Sequence, residues 1–98
     1  MTAEPLSHEA FQPHLHRQFR FDGHPHVLKL TQIAVKDLPP LPGLTYKAFT
    51  LIFSGPRGDV MPEGLYSAEA EGGVRFEFYI MPIHTPASDR QDYQAVFN

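Results

Sequence analysis

The sequence predicts a mainly β fold: a small antiparallel barrel or sandwich of about six strands with a short N-terminal helix. Three observations carry that expectation. Apolar residues recur at every second position in several runs, most clearly Val74, Phe76, Phe78 and Ile80. That period belongs to a strand with one buried face. Ten prolines and seven glycines cut the chain into short pieces joined by tight loops. The connections are too short for the helical crossovers that parallel strands need. With 98 residues, the chain is expected to be a single domain over 1–98.

The elements follow in order. In "LSHEAF", Ser7 is placed to cap a short helix, with Phe11 and Leu15 four apart on one side. Pro13 falls beyond the first turn and should end it. From residue 16 the period is two. A first strand over 16–21 puts Phe19 and Phe21 on one face, and Asp22-Gly23, extended by Pro25, marks a turn. In a second strand over 26–35, Leu28 and Leu30 share a face while Ile33 and Val35 take the other parity. The switch at Thr31-Gln32 predicts a bulge or burial on both sides. "KDLPPLPG" is a stiff, extended loop, and "YKAFTLIFS" a third strand with Phe49, Leu51 and Phe53 on one face. After the loop "GPRGDVMPEG" comes a weaker strand, "LYSAEA", ended by "EGG". The fifth strand turns Val74, Phe76, Phe78 and Ile80 one way and Arg75, Glu77, Tyr79 and Met81 the other. The last, "YQAVFN", puts Tyr93, Ala95 and Phe97 on one face. Gly55 and Gly64 are expected to hold turn dihedrals that a β-carbon would strain. Such strands suit an antiparallel meander or a small barrel, and eight phenylalanines are enough to fill one without a ligand-holding lumen.

Composition narrows the function. Absence of cysteine excludes disulfides, iron–sulfur ligation and thiol catalysis. A net charge of −3 argues against an electrostatic nucleic-acid binder. No apolar run approaches the roughly 20 residues of a membrane helix, and "MTAEPLSHEAFQPH" lacks the basic and apolar regions of a secretory signal. A cytoplasmic location without membrane insertion is therefore expected.

Four histidines crowd "HLHRQFRFDGHPH", residues 14 to 26. Ligands must converge to about 2.0–2.1 Å from a metal such as zinc. A hairpin register that buries Phe19, Phe21, Leu28 and Leu30 together puts His16 on the opposite face from His26. The core pattern thus opposes a four-histidine site. What survives is His24-x-His26, whose side chains share a side in an extended segment and could take zinc, nickel or copper. The competing explanation is a pair of exposed turn histidines.

Other signals are weaker. Arg57-Gly58-Asp59 spells a tripeptide that receptors read from loops, but Gly-Asp is ordinary turn chemistry. Pro39 to Pro42, "PPLP", matches a minimal polyproline ligand or simply a stiff connector. Arg20 and Lys29 share an outer face without interleaved exposed aromatics, which describes a solvated surface. No nucleophile elbow, phosphate loop or dinucleotide motif is present. His84 could pair with Asp89 or work with Glu69, Glu71 or Glu77 only if folding gathers them in a pocket.

From residue 47 the chain carries "FTLIFSGP" (Phe49 to Pro56), "PEGLY" (Pro62 to Tyr66), "FEFYIMPI" (Phe76 to Ile83) and the terminal "YQAVFN" (Tyr93 to Asn98), with a looser "F-x-x-H" at Phe11. In these pieces it resembles a family of small bacterial β domains of unknown function, about a hundred residues long. The resemblance implies a bacterial origin and a compact β fold. It supplies no catalytic or binding residues, and the histidine-rich first hairpin departs from it. An association with phage-tail-like or surface proteins is a looser implication.

The expected function is therefore a non-catalytic structural or protein-interaction module. Its partner is another protein or a second copy, and its contact is Tyr79 and Met81 on the outer side of the fifth strand. The alternatives are a metal-binding protein using His24 and His26, and a small enzyme using His84 and a carboxylate.

Overall fold

In the computed structural model, which describes residues 6–25, 27–36 and 48–97, six strands close into an antiparallel barrel. They are β1 (Gln18–Phe21), β2 (Val27–Val35), β3 (Phe49–Gly55), β4 (Gly64–Ala70), β5 (Arg75–Pro82) and β6 (Gln91–Phe97). The order around the barrel is β1-β2-β3-β6-β5-β4, with β4 pairing back to β1. The chain is thus two three-stranded meanders joined edge to edge, rather than one continuous meander. The loop over residues 56–63 carries the chain across one end, so that β3 pairs with β6 and not with β4.

The first hairpin forms in the register that buries its apolar residues. Phe19 lies opposite Leu28, and Gly23 turns the chain at a φ of 80°. The parity switch in β2 is a bulge: the register with β3 shifts between Leu30 and Gln32. The Thr31 hydroxyl donates to the Ile52 carbonyl at 3.2 Å. The extra residue returns Ile33 to the inner side opposite Leu51, where it packs against the core.

The interior is aromatic. Phe11, Phe19, Phe21, Phe49, Phe53, Phe76, Phe78 and Tyr93 are among the largest fully buried side chains. Their rings meet edge-on or stacked, as Phe19 does Phe53 at 5.2 Å and Phe53 does Phe78 at 5.7 Å. Burial of each such side chain contributes about 1.5–3 kcal/mol. Ser7 caps α1 (His8–Phe11), its side chain accepting from the Ala10 N–H. A 3-10 turn, Gln12–His14, then carries Pro13. This short segment seats Phe11 in one end of the barrel. At the other end the buried Tyr93 hydroxyl accepts from the Met61 N–H at 2.8 Å, drawing loop 56–63 over the core.

Gly55 and Gly64 are not turn glycines in the expected sense, for the positive dihedrals fall at Gly23, Gly58, Gly72 and Gly73. Gly55 is instead required by a close approach. A β-carbon there would lie 2.3 Å from Leu28 Cδ2. Pro39 to Pro42, Tyr46 and Lys47 of the expected third strand, His26 and Asn98 lie outside the described residues.

Candidate functional site

Alternation along β5 sends Phe76, Phe78 and Ile80 inward and leaves Arg75, Glu77, Tyr79 and Met81 on the outer surface. Leu65 on β4 lies directly opposite Tyr79. On the other side, β6 pairs with β5 only at Met81↔Gln94 and Pro82↔Tyr93. Leu65 and Tyr79 therefore stand side by side on the outer surface, and Val96 is outward on β6. They are 66%, 46% and 42% exposed. Val96 in turn stands opposite Thr50 on β3, and Thr50 opposite Ala34 on β2. Met81 is half-buried, with its sulfur 3.8 Å from Gln94 Nε2.

The surroundings of Tyr79 are acidic. The Tyr79 hydroxyl donates to Glu63 Oε2 at 2.5 Å. That bond raises the phenol above its ordinary value, and slight desolvation and the carboxylate's charge act in the same direction. Glu77, next to Tyr79 on the same side of β5, is exposed. The nearby cation is engaged elsewhere, because Arg75 forms an ion pair with Asp22 of the first hairpin turn.

The family described as Domain of unknown function (DUF6916) matches residues 6–97. The chain belongs to that family. No curated protein and no solved structure matches it. The DUF6916 membership agrees with the resemblance carried by the sequence motifs, and it names no activity, ligand or partner.

Of the other candidates in this DUF6916 domain, His24 is half-buried just after the first hairpin turn, its N–H donating to the Phe21 carbonyl at 3.1 Å. His26 lies outside the described residues. Among the described residues, no three or more histidine, aspartate or glutamate side chains gather where they could hold a metal ion. His16 is exposed, at a φ of 69°. His84 and Asp89 are both exposed on the loop between β5 and β6, and no hydrogen bond or ion pair joins them. Arg20 and Lys29 do share the outer face, where Arg20 stands across from Glu69. A cleft of about 230 Å³ lies there, lined by Gln18, Arg20, Val27, Glu69 and Glu71 among others, and it mixes both signs of charge.

The Arg57-Gly58-Asp59 tripeptide has a structural employment that the sequence did not reveal. Arg57 Nη1 donates to the carbonyls of Thr85, Ala87 and Arg90 at 3.2, 2.6 and 3.3 Å. Its guanidinium therefore clasps the β5–β6 loop. The buried Thr85 completes that clasp, its hydroxyl accepting from the Asp92 N–H at 2.9 Å. No local motif marks this, since the partners are backbone carbonyls about thirty residues away.

Proposed function

We propose that this DUF6916 domain is a non-catalytic protein-interaction module of the bacterial cytoplasm, which docks a partner on the outer face of β4, β5 and β6. The observation that carries this reading is the pair of Leu65 and Tyr79, opposite each other on β4 and β5 and exposed, with Val96 also exposed on β6, on a barrel whose core is already complete without them. Apolar side chains scattered singly need no explanation, whereas a contiguous group favours contact with another molecule. Tyr79 suits such a role because its ring offers apolar area at low entropic cost and its hydroxyl a polar handle. The acidic rim of Glu63 and Glu77 favours a partner with an apolar patch bordered by lysine or arginine.

The test is site-specific photo-cross-linking of the full chain in its host. A photoreactive residue at Leu65 should give a discrete adduct that a Tyr79→Asp substitution removes. The same probe at Arg20, on the charged side of the barrel, should give none. Adducts of equal yield from both positions, or an adduct at Leu65 indifferent to Tyr79→Asp, would overturn the assignment.

A further inference from the structure

The N-terminal segment is built as a plug. Phe11 is fully buried, and its ring lies 4.3 Å from that of Phe76, 5.6 Å from Phe78, 5.8 Å from Phe97, 6.0 Å from Phe49 and 6.4 Å from Phe19. Five phenylalanines from β1, β3, β5 and β6 thus form a socket around a sixth. The socket sits where the wall is least complete. β5 and β6 pair only at Met81↔Gln94 and Pro82↔Tyr93, and beyond those pairs Phe11 packs against residues of both strands.

The way the plug is attached differs from the way it is seated. Its main-chain hydrogen bonds are local: the Ala10 N–H to Ser7, Gln12 to His8, Leu15 to Gln12 and Arg17 to His14. Among the described residues, the first main-chain bond from this segment into the barrel is made by the His16 N–H to the Leu30 carbonyl at 2.7 Å. Before that point the segment is seated chiefly by buried side chains, Phe11 with Ala10 and Leu15 beside it and the His14 ring edge-on to Phe19 and Phe76. The joint itself is His16, the one non-glycine residue at positive φ among the described residues. Histidine tolerates that left-handed conformation better than most residues, and a β-branched residue does not.

We propose that the open end of the barrel is a receptor for an aromatic side chain, that residues 7–15 are its exchangeable occupant, and that the alternative occupant is the same segment of a second copy. Nothing in this exchange uses the outer face of β4 to β6. A second copy is the fitting occupant because its plug reproduces every contact of the resident one. The balance between closed monomer and exchanged dimer then depends on the hinge at His16 and on concentration.

Analytical ultracentrifugation of the full chain tests this. His16→Val disfavours the left-handed joint and should raise the dimer fraction at least about tenfold, while His16→Gly should leave it at the wild-type level. Adding Phe11→Ala to His16→Val should abolish the dimer. A dimer that persists without Phe11 would overturn the proposal. A second measurement needs no variant of the protein. Wild-type chain incubated with excess synthetic peptide of residues 6–17 should take up the peptide in place of its own plug, and not the same peptide with Phe11→Ala. If His16→Val stays monomeric or fails to fold, and the wild-type chain takes up neither peptide, the proposal is wrong.

Discussion

Tyr93→Phe isolates one buried hydrogen bond. The Tyr93 hydroxyl accepts from the Met61 N–H at 2.8 Å, and both residues are almost fully excluded from solvent. Phenylalanine keeps the ring and its packing but leaves a buried N–H with no acceptor. An unsatisfied buried donor costs about 1–3 kcal/mol. For a domain of this size each kcal/mol moves Tm by roughly 4–8 °C, so the expected fall is roughly 5–20 °C. Tyr66→Phe is the matched control. Its hydroxyl donates to the Pro62 carbonyl at 2.6 Å, but in an exposed setting where water can replace it. That variant should lose less than about 1 kcal/mol. Thermal unfolding followed by circular dichroism, with urea midpoints at unchanged m-value, measures both. If Tyr93→Phe shifts Tm no more than Tyr66→Phe does, the inference that Tyr93 fastens loop 56–63 over the core is refuted.

Further outcomes follow from the same geometry. Gly55→Ala should cost about 1–3 kcal/mol through overpacking, read as a lower urea midpoint, because its methyl group would collide with Leu28 Cδ2; a neutral result would mean that Leu28 repacks freely. Arg57→Ala should speed hydrogen exchange at the Asp92 amide, which the clasped Thr85 protects, while leaving the Phe78 amide unchanged. Burial is the main cause holding the Tyr93 phenol above its ordinary value of 10.0. A folded value above the unfolded one means that this contribution is complete below pH 10 and is lost as pH rises through the folded value, so alkaline unfolding should be less steep in Tyr93→Phe. Tyr79, raised by Glu63 but exposed, should contribute less to that slope than Tyr93, which Tyr79→Phe measures.

The strands were legible because each carries its own signal. Phe76, Phe78 and Ile80 alternate cleanly, and the parity break between Leu30 and Ile33 marked either a bulge or burial on both sides, of which the β2–β3 register shows the bulge. Pairing order was not legible, since β1–β4 and β3–β6 contacts join distant residues and no local pattern encodes them. The role of Gly55 was misjudged for the same reason: its constraint is the Leu28 side chain on the neighbouring strand β2, not its own dihedral. On the candidate face, the outward parity of Tyr79 could be read from β5 alone. Leu65 joins it only through the β4–β5 register, and Met81 is partly covered by Gln94, which pairing with β6 brings beside it.

Closure of the sheet has a consequence for how such a domain could bind. An open sheet offers unpaired edge amides to a partner strand, but a closed barrel removes most of that option. Its aromatic core is likewise occupied by the barrel's own side chains. Recognition is therefore left to an outward face or to the barrel ends. At the ends, Met61 beneath the Arg57-clasped loops fills one, and Phe11 fills the other. On the outer face, the side of β1 with β4 and β5 sets Arg20 across from Glu69 and pairs Arg75 with Asp22, so its charges answer one another. The exposed apolar surface of Leu65 and Tyr79 has no such internal answer. Leu65 is so exposed that replacing it with lysine should change folding stability by no more than about 0.5 kcal/mol. A loss of binding in that variant without a loss of stability would separate what this residue does for a partner from what it does for the fold.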